Sequence, residues 1–396
     1  MRNARRSELY SDRVHPPAQT IRHVSSFLPA FGITRIARQT GLDVIGIPCF
    51  AAIRPNAKTL ATSQGKGIDD DAAIASAVME AIEFAVAERP LACDWTGSVH
   101  SLRAMGASFF DPGRLLQFGE SFNEHKSIDW VLGHGTLSNR PVLVPRDIVR
   151  FDGETPDLPG VCQNTNGLAS GNLESEAELH GLCELIERDA MTLWSLEPLD
   201  ERSRRRIDLD LLDDPIIQSL RRLIDRAGLR LSVFDVTSDL GVPTAMALIG
   251  PAGASRHLEI GSGSGTHPNS QRAVIRAITE AAQSRVTSIA GARDDIPVEQ
   301  YEQPGYADVV TLLDVDGARP MRTGLALGQG LGAARSFIDA RLRMAGIAEP
   351  VCVSLGGDSY GIAVVRLLSE MLEDREANSN WRPGPRAVNH LFRHAA

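Results

Sequence analysis

The chain has 396 residues, of which 43% are apolar and 23% charged, and its formal net charge is −9. That apolar fraction can build a sizeable core and excludes wholesale disorder, and the length allows two or three conventional domains or one large elaborated one. An acidic balance with no long basic run argues against nucleic acid as the main partner.

Residues 1–25 are polar and read as a tail or a packed arm. Arg2, Arg5 and Arg6 precede no apolar run, so they do not open a secretory signal. No stretch reaches membrane-spanning length. Leu42 to Ile53 is apolar and β-rich, interrupted by Gly46 and Pro48, and predicts a strand entering a turn. Ser63-Gln-Gly-Lys66-Gly67 reads as a Gly-rich turn, and Asp69 to Asp71 as the start of a helix. Residues 100–160 offer short strands at Trp130–Leu132 and Val142–Val144. A polar loop, Asn164 to Asn172, opens a second helix. Two strands follow, Arg230–Val236 and Pro243–Ile249, joined through Ser238–Gly241. A third Gly/Ser loop, Gly261 to Pro268, leads into a third helix. Loop followed by long helix thus occurs three times among strands, which predicts a mixed α/β fold without an independent linker or a solenoid repeat.

The five cysteines, Cys49, Cys93, Cys162, Cys183 and Cys352, are scattered without zinc or redox spacing. A reduced, cytoplasmic protein is the simplest expectation. Cys183 is expected in the core. Neither His180 nor His267 has zinc-spaced companions, so both are expected as core or loop histidines. There is no P-loop, and Gly261 to Gly265 lacks dinucleotide-fingerprint spacing. Gly324 to Gly332 reads as a loop before a helix.

The three helices carry the chemistry. Ser76, Glu80 and Glu83 occupy positions i, i+4 and i+7 of the first, and Glu176, His180, Glu184 and Glu187 share a face of the second. Arg276, Glu280 and Gln283 share a face of the third. At about 3.6 residues per turn the positions on each helix span about 60–80° of its circumference and form stripes. A solvated face is the default for one such stripe. From Ala72 to Ala87, however, Ser76, Glu80 and Glu83 are the only polar residues, and a helix apolar around most of its circumference is normally buried. Buried carboxylates require a basic partner or a metal. On the third helix an Arg276–Glu280 ion pair is the plain alternative. Three stripes facing one cavity would form a carboxylate-rich pocket suited to Mg²⁺ and a nucleotide triphosphate.

At these residues the chain resembles the YcaO family. Gly65-Lys66-Gly67 leads into Ser76-x3-Glu80-x2-Glu83. Asn166-Gly167 and Gly171-Asn172-x3-Glu176-Ala177 lead into Glu184-x2-Glu187-Arg188. Arg276-Ala-x-Thr279-Glu280-x2-Gln283-x-Arg285 completes the order. The resemblance covers residues 60 to 290. Gly32-Ile-Thr-Arg35, Thr40-Gly41-Leu42-Asp43 and Gly46-Ile47-Pro48 resemble the subset associated with a TfuA partner. It implies one large catalytic domain, residues 61–375, with three glutamate-bearing helices around a nucleotide pocket. An N-terminal segment (1–60) packs on it, and a C-terminal tail (376–396) follows.

The resemblance also implies an ATP-dependent enzyme that O-phosphorylates a peptide backbone amide. Sulfide as nucleophile gives a thioamide, the outcome associated with TfuA-like partner proteins. A Cys, Ser or Thr side chain of the substrate gives an azoline, as in cyclodehydratases of ribosomally made peptides. A non-catalytic accessory role in ribosomal-protein methylthiolation is a third reading, and a homodimer stays open. Carried over by motif, Glu80, Glu83, Glu184, Glu187 and Glu280 resemble the Mg²⁺ ligands. Ser76, Asn172, Glu176, Arg188 and Arg276 resemble the ATP contacts, and Lys66, Gln283 and Arg285 belong to the same blocks. Glu187, Arg188 and Arg276 are the catalytic candidates. Phe84 stands where many relatives have arginine, so one phosphate contact is expected to be lost or supplied elsewhere. The C-terminal Arg382-Pro-Gly-Pro-Arg386 is not the Pro-x-Pro-x-Pro ending of azoline-forming relatives, which favours sulfur insertion.

Overall fold

The computed structural model describes residues 12–394 apart from 117–118, 159, 162, 255–256, 292–295, 297–298, 300–306, 317–318 and 376–380. Arg2, Arg5, Arg6, Cys162 and part of the expected C-terminal tail lie outside the described residues.

In chain order, helix α1 (Pro17–Val24) precedes strands β1 (Arg35–Arg38), β2 (Cys49–Ile53) and β3 (Thr62–Lys66), then helix α2 (Asp70–Ala87). Strand β4 (Trp95–Gly97), helix α3 (Val99–Met105), strands β5 (Ile128–Gly135) and β6 (Pro141–Pro145) and the short helix α4 (Arg146–Val149) follow. Strand β7 (Leu168–Gly171) enters helix α5 (Glu174–Ser195), and α6 (Leu199–Arg204) and α7 (Pro215–Arg226) precede strands β8 (Arg230–Asp235), β9 (Thr244–Gly250) and β10 (Gly261–Thr266). Helices α8 (Ser270–Ala290), α9 (Ala307–Asp314) and α10 (Leu331–Met344) lead to strands β11 (Val351–Gly356) and β12 (Ala363–Leu368) and to helix α11 (Pro385–His394).

These elements form two compact units, Met1–Ala81 with Trp194–Phe337, and Ile82–Leu193 with Ile338–Ala396. In the first unit β1-β2-β3 and β10-β9-β8 are two antiparallel sheets. Every residue of β9 is buried. Helix α7 explains its own placement. Asp214 caps it by accepting from the Ile216 and Ile217 amides, Pro215 sits in its first turn, and Ile217, Leu220 and Ile224 recur at helical spacing to face the core. They join Val233, Ala247, Ile249, Val274, Ala277 and Ile278 in one apolar cluster.

In the second unit the sheet order is β4-β5-β11-β12-β7, with β6 paired to β5, all antiparallel. Helix α11, within the expected tail, is docked here. Arg386 donates to both oxygens of Asp189 at 2.7 and 2.8 Å, and Asp189 is fully buried on α5. The Gly384 and Ala387 amides donate to Glu373.

The three segments expected as loops end differently: each contains a strand. Ser63 to Lys66 lies in β3, Leu168 to Gly171 is β7, and Gly261 to Thr266 is β10. Glycine is needed there for contact. A Cβ at Gly65 would sit 2.1 Å from the Ala77 nitrogen of α2, and one at Gly263 would sit 2.3 Å from the Ala281 nitrogen of α8. The glycines let a strand lie directly on the helix that follows it, which local turn propensity misreads. The expected Leu42–Ile53 strand begins only at Cys49, because Thr40–Leu42 is a 3-10 turn and Gly46 has φ +78°. Trp130–Leu132, Val142–Val144, Arg230–Val236 and Pro243–Ile249 fall on β5, β6, β8 and β9, with boundary shifts of a few residues. Gly324 to Gly330 is an irregular segment that enters α10.

Candidate functional site

Helix α2 starts where the aspartates predict. Asp69 accepts the Ala72 amide at 2.8 Å, and Asp70 and Asp71 occupy the first turn. Ser76, Glu80 and Glu83 follow on one stripe; Ser76 and Glu80 are partly buried, and Glu83 is 8% exposed. Phe84, one position on, packs against Phe151 with ring centroids 5.7 Å apart. It is a core residue and offers no phosphate contact.

In the first unit, strand β3 delivers Lys66 to helix α8. Its ammonium lies 2.6 Å from Glu280 Oε2, with 28% and 32% of the two side chains exposed. The Ser264 amide reaches the other Glu280 oxygen at 3.5 Å. The partner of Glu280 is therefore 214 positions away in sequence, a contact that helical spacing could not reveal. Arg276 donates to the Thr266 carbonyl at 3.1 Å, and Gln283 to the Gln64 carbonyl at 3.0 Å. The buried Gln283 Oε1 has no hydrogen-bond partner among the described residues. Arg285 is committed internally: it holds Asp43 at 3.1 and 3.3 Å and the Glu259 carbonyl at 2.6 Å. His267 is the expected core histidine. Its Nδ1 accepts the Asn269 amide at 2.9 Å, so Nε2 carries the proton and donates to Asp12 at 3.0 Å. Burial, with Arg272 beside it, pushes its pKa down to about 4. Asp12, also paired to Arg272, shows that the polar N-terminal stretch ends in a packed arm.

In the second unit, strand β7 turns into α5 through Asn172. Glu176, 2% exposed, accepts both the backbone and side-chain N–H of Asn172 at 2.9 Å. This closes the helix start and fixes the Asn172 side chain. Two turns on, Glu184 lies 3.7 Å from Arg188. Burial pushes the Glu184 carboxyl up to about 7. Arg188 and Arg366 oppose that rise, while the charges of Glu187 and Asp374 add to it. His180 is partly buried and Cys183 buried, as expected.

Arg366 was not among the residues expected from the sequence. It sits on β12, 3% exposed, and burial pushes its guanidinium down to about 10 despite the opposing charges of Glu184, Asp374 and Glu83. Its Nη2 donates to Asn164 Oδ1 at 2.9 Å, but among the described residues Nε and Nη1 have no hydrogen-bond partner. Asn166 donates to Asp374 at 2.9 Å, and its buried oxygen also lacks a partner among the described residues. The signal was present: Ala363-Val-Val-Arg366-Leu-Leu368 puts one cation inside an otherwise apolar strand, where a charge must be answered.

The second unit therefore gathers Glu83, Glu184, Glu187 and Asp374 within electrostatic reach of Arg188 and Arg366, with the buried Nε and Nη1 of Arg366 unpaired among the described residues. Acidic oxygens suit a hard divalent cation, and unpaired guanidinium N–H groups suit phosphate oxygens. The residues fit both partners of a metal–nucleotide pair. Among the described residues, no helix is long and apolar enough to cross a membrane.

Comparison with known proteins places the chain among characterised folds. The profile of a family described as YcaO cyclodehydratase, ATP- and Mg²⁺-binding, matches residues 64–373. A protein of Rhizobium leguminosarum bv. trifolii, known as an uncharacterized protein in the tfuA 3′ region, is 39% identical over 392 residues, covering 96% of this chain and 93% of its own. The structure of YcaO from Methanopyrus kandleri bound with AMPPCP and Mg²⁺ superposes with a TM-score of 0.73 at 22% identity, covering 94% of this chain and 96% of that one. A heterocyclase in complex with substrate and cofactor also gives 0.73, at 20% identity over 91% of this chain. This chain spans only 53% of that longer protein. At these identities the two structures establish the shared fold.

Proposed function

The chain belongs to the YcaO family, and from that premise we propose that it uses Mg-ATP to activate a peptide backbone amide for thioamide formation, together with a TfuA-like partner. ATP and Mg²⁺ are the cofactors of the family. The observation that best supports the reading is the acidic and basic cluster of the second unit, with Glu184 pushed up to about 7 beside Arg366 and its unpaired N–H groups.

Glu80, Glu83, Glu184, Glu187 and Glu280 are assigned to Mg²⁺, and Ser76, Asn172, Glu176, Arg188 and Arg276 to the nucleotide. When bound, Mg-ATP supplies the phosphoryl group that turns the amide oxygen into a leaving group. The side chains place and neutralise. Arg188, Arg276 and Arg366 offset phosphate charge. Glu176 holds the Asn172 amide in one rotamer. Arg285 acts as a positioning residue through Asp43 rather than by touching phosphate. Lys66 and Gln283 belong to the same motif blocks. The tfuA-region relative supports a TfuA-like partner, the association that the family resemblance links to sulfur insertion rather than azoline formation.

The test is intact-mass analysis of a candidate peptide co-expressed with this chain and its TfuA-like partner. Sulfur replacing oxygen is the expected product. Loss of water would identify an azoline-forming cyclodehydratase. An unmodified peptide with no peptide-stimulated ATP hydrolysis would leave an accessory role, as in ribosomal-protein methylthiolation.

A further inference from the structure

Outside the cluster described above, the second unit brings four donors of different kinds together: His134 of β5, Glu174 and Glu178 of α5, and Cys352 of β11. One ligand atom from each lies within 4.8 Å of all the others. We infer that these four residues form a structural site for a thiophilic divalent cation of the zinc type.

The scaffold explains the convergence. His134 and Cys352 are register partners on adjacent antiparallel strands, so their side chains leave the same face of the sheet. Glu174 and Glu178 are one turn apart in the first turns of α5 and share a face. His134 Nε2 already lies 3.4 Å from Glu178 Oε1. Four donors at the corners of a regular tetrahedron with 4.8 Å edges lie about 2.9 Å from its centre, whereas zinc needs about 2.0–2.3 Å. Rotamer adjustments of less than about 1 Å close the difference.

The chemistry of the set selects the ion. Sulfur, imidazole nitrogen and two carboxylates match Zn²⁺ or Co²⁺ in four-coordinate geometry; Mg²⁺ avoids thiolate. Cys352 is fully buried, and an apolar core position would suffice to place a thiol there. An apolar position does not account for two glutamates at i, i+4 and an imidazole converging on that sulfur, since the like-charged pair is itself unfavourable on a helix. Binding would release the Cys352 thiol proton to solvent and join the start of α5 to β5 and β11. Four protein ligands leave no open position, so the role is structural. The site shares no residue with the nucleotide assignment and stands or falls independently of it.

The experiment uses the full chain, stripped with a chelator and titrated with Co²⁺. One equivalent is expected to give tetrahedral ligand-field bands and a thiolate-to-cobalt charge-transfer band. Zn²⁺ should displace it, and excess Mg²⁺ should leave it unchanged. Cys352→Ser should lose the charge-transfer band, and Glu174→Gln, on the exposed side, should weaken Co²⁺ binding by about 100-fold or more. If Cys352→Ser does not fold, His134→Gln carries the same expectation of lost affinity. No band in the wild-type protein, a band that survives in folded Cys352→Ser or an undiminished affinity in folded His134→Gln would overturn the site, and so would displacement by Mg²⁺.

Discussion

Lys66 and Glu280 in the first unit lie 2.6 Å apart and keep roughly a third of their surface in water. Glu184 and Arg366 in the second unit lie within each other's field, yet burial pushes the acid up to about 7 and the base down to about 10. The first arrangement is a satisfied pair, because water screens whatever the partner does not neutralise. In the second, desolvation outweighs attraction, so the acid is left partly protonated near neutral pH while the guanidinium keeps a charge that its neighbours only partly answer. A divalent cation would restore the carboxylates, and an anionic oxygen would meet the guanidinium. The second unit's cluster therefore calls for ligands to complete it, whereas the charges of the first unit's pair already answer each other.

The sharpest way to break that contrast is Glu187→Gln. The residue adds charge next to Glu184 and is assigned to the metal, so its neutral isostere should lower peptide-dependent phosphate release by about 10²–10³-fold while circular dichroism stays unchanged. Unchanged turnover in a folded variant would falsify the assignment. Arg366→Met comes next. It removes a cation that faces three acidic groups, and nucleotide affinity should fall by about 100-fold, roughly the worth of one or two charge-assisted hydrogen bonds. Arg366→Lys keeps the charge without the planar fork and should recover only part of the loss. Wild-type affinity in a folded Arg366→Met would remove Arg366 from the site.

These two residues also mark what the sequence could and could not reveal. Glu187 stood in a stripe whose spacing was visible, and the apolar circumference of α2 made burial of Glu83 legible before any coordinates. Arg366 carried a readable signal, a lone cation in a buried strand, but its acidic neighbours come from α2, α5 and residue 374 and are set only by the fold. The Lys66–Glu280 contact and the Asp12–His267 hydrogen bond join positions more than 200 residues apart, so no local pattern encodes them. The glycine-rich strands were misread for the opposite reason. Their local signal is strong and points to turns, whereas the cause of the glycines is a helix packed against them.

pH separates the two arrangements further. As a proposed Mg²⁺ ligand Glu184 would have to be ionised, so Mg²⁺ affinity should fall about tenfold per unit as pH drops below about 7, and Glu184→Gln should flatten that dependence. Stability of the metal-free protein should run the other way. The native carboxyl holds its proton more tightly than the unfolded one, whose value is the ordinary 4.5. This contribution is fully present below 4.5 and declines as pH rises toward about 7, by up to about 3 kcal/mol. Thermal melts with EDTA across that window test the sign. A metal-free stability that rose between those values and fell again in Glu184→Gln would contradict it.

The smallest effect is expected at the satisfied pair, and its direction is informative. Lys66→Met leaves Glu280 without its ammonium, but the carboxylate is about a third exposed, so water offsets most of the loss and stability should change by less than about 1 kcal/mol. Metal binding then distinguishes two roles for the lysine. If Lys66 only neutralises Glu280 until a cation arrives, its removal frees a ligand and Mg²⁺ affinity rises a few-fold. If the ammonium turns to phosphate when nucleotide binds, affinity for Mg-nucleotide falls instead, while affinity for Mg²⁺ alone still rises. Calorimetry with Mg²⁺ alone and with Mg²⁺ plus a non-hydrolysable nucleotide reads both quantities. The second pattern is expected, because a lysine next to a carboxylate proposed as a metal ligand is well placed to exchange one anion for another.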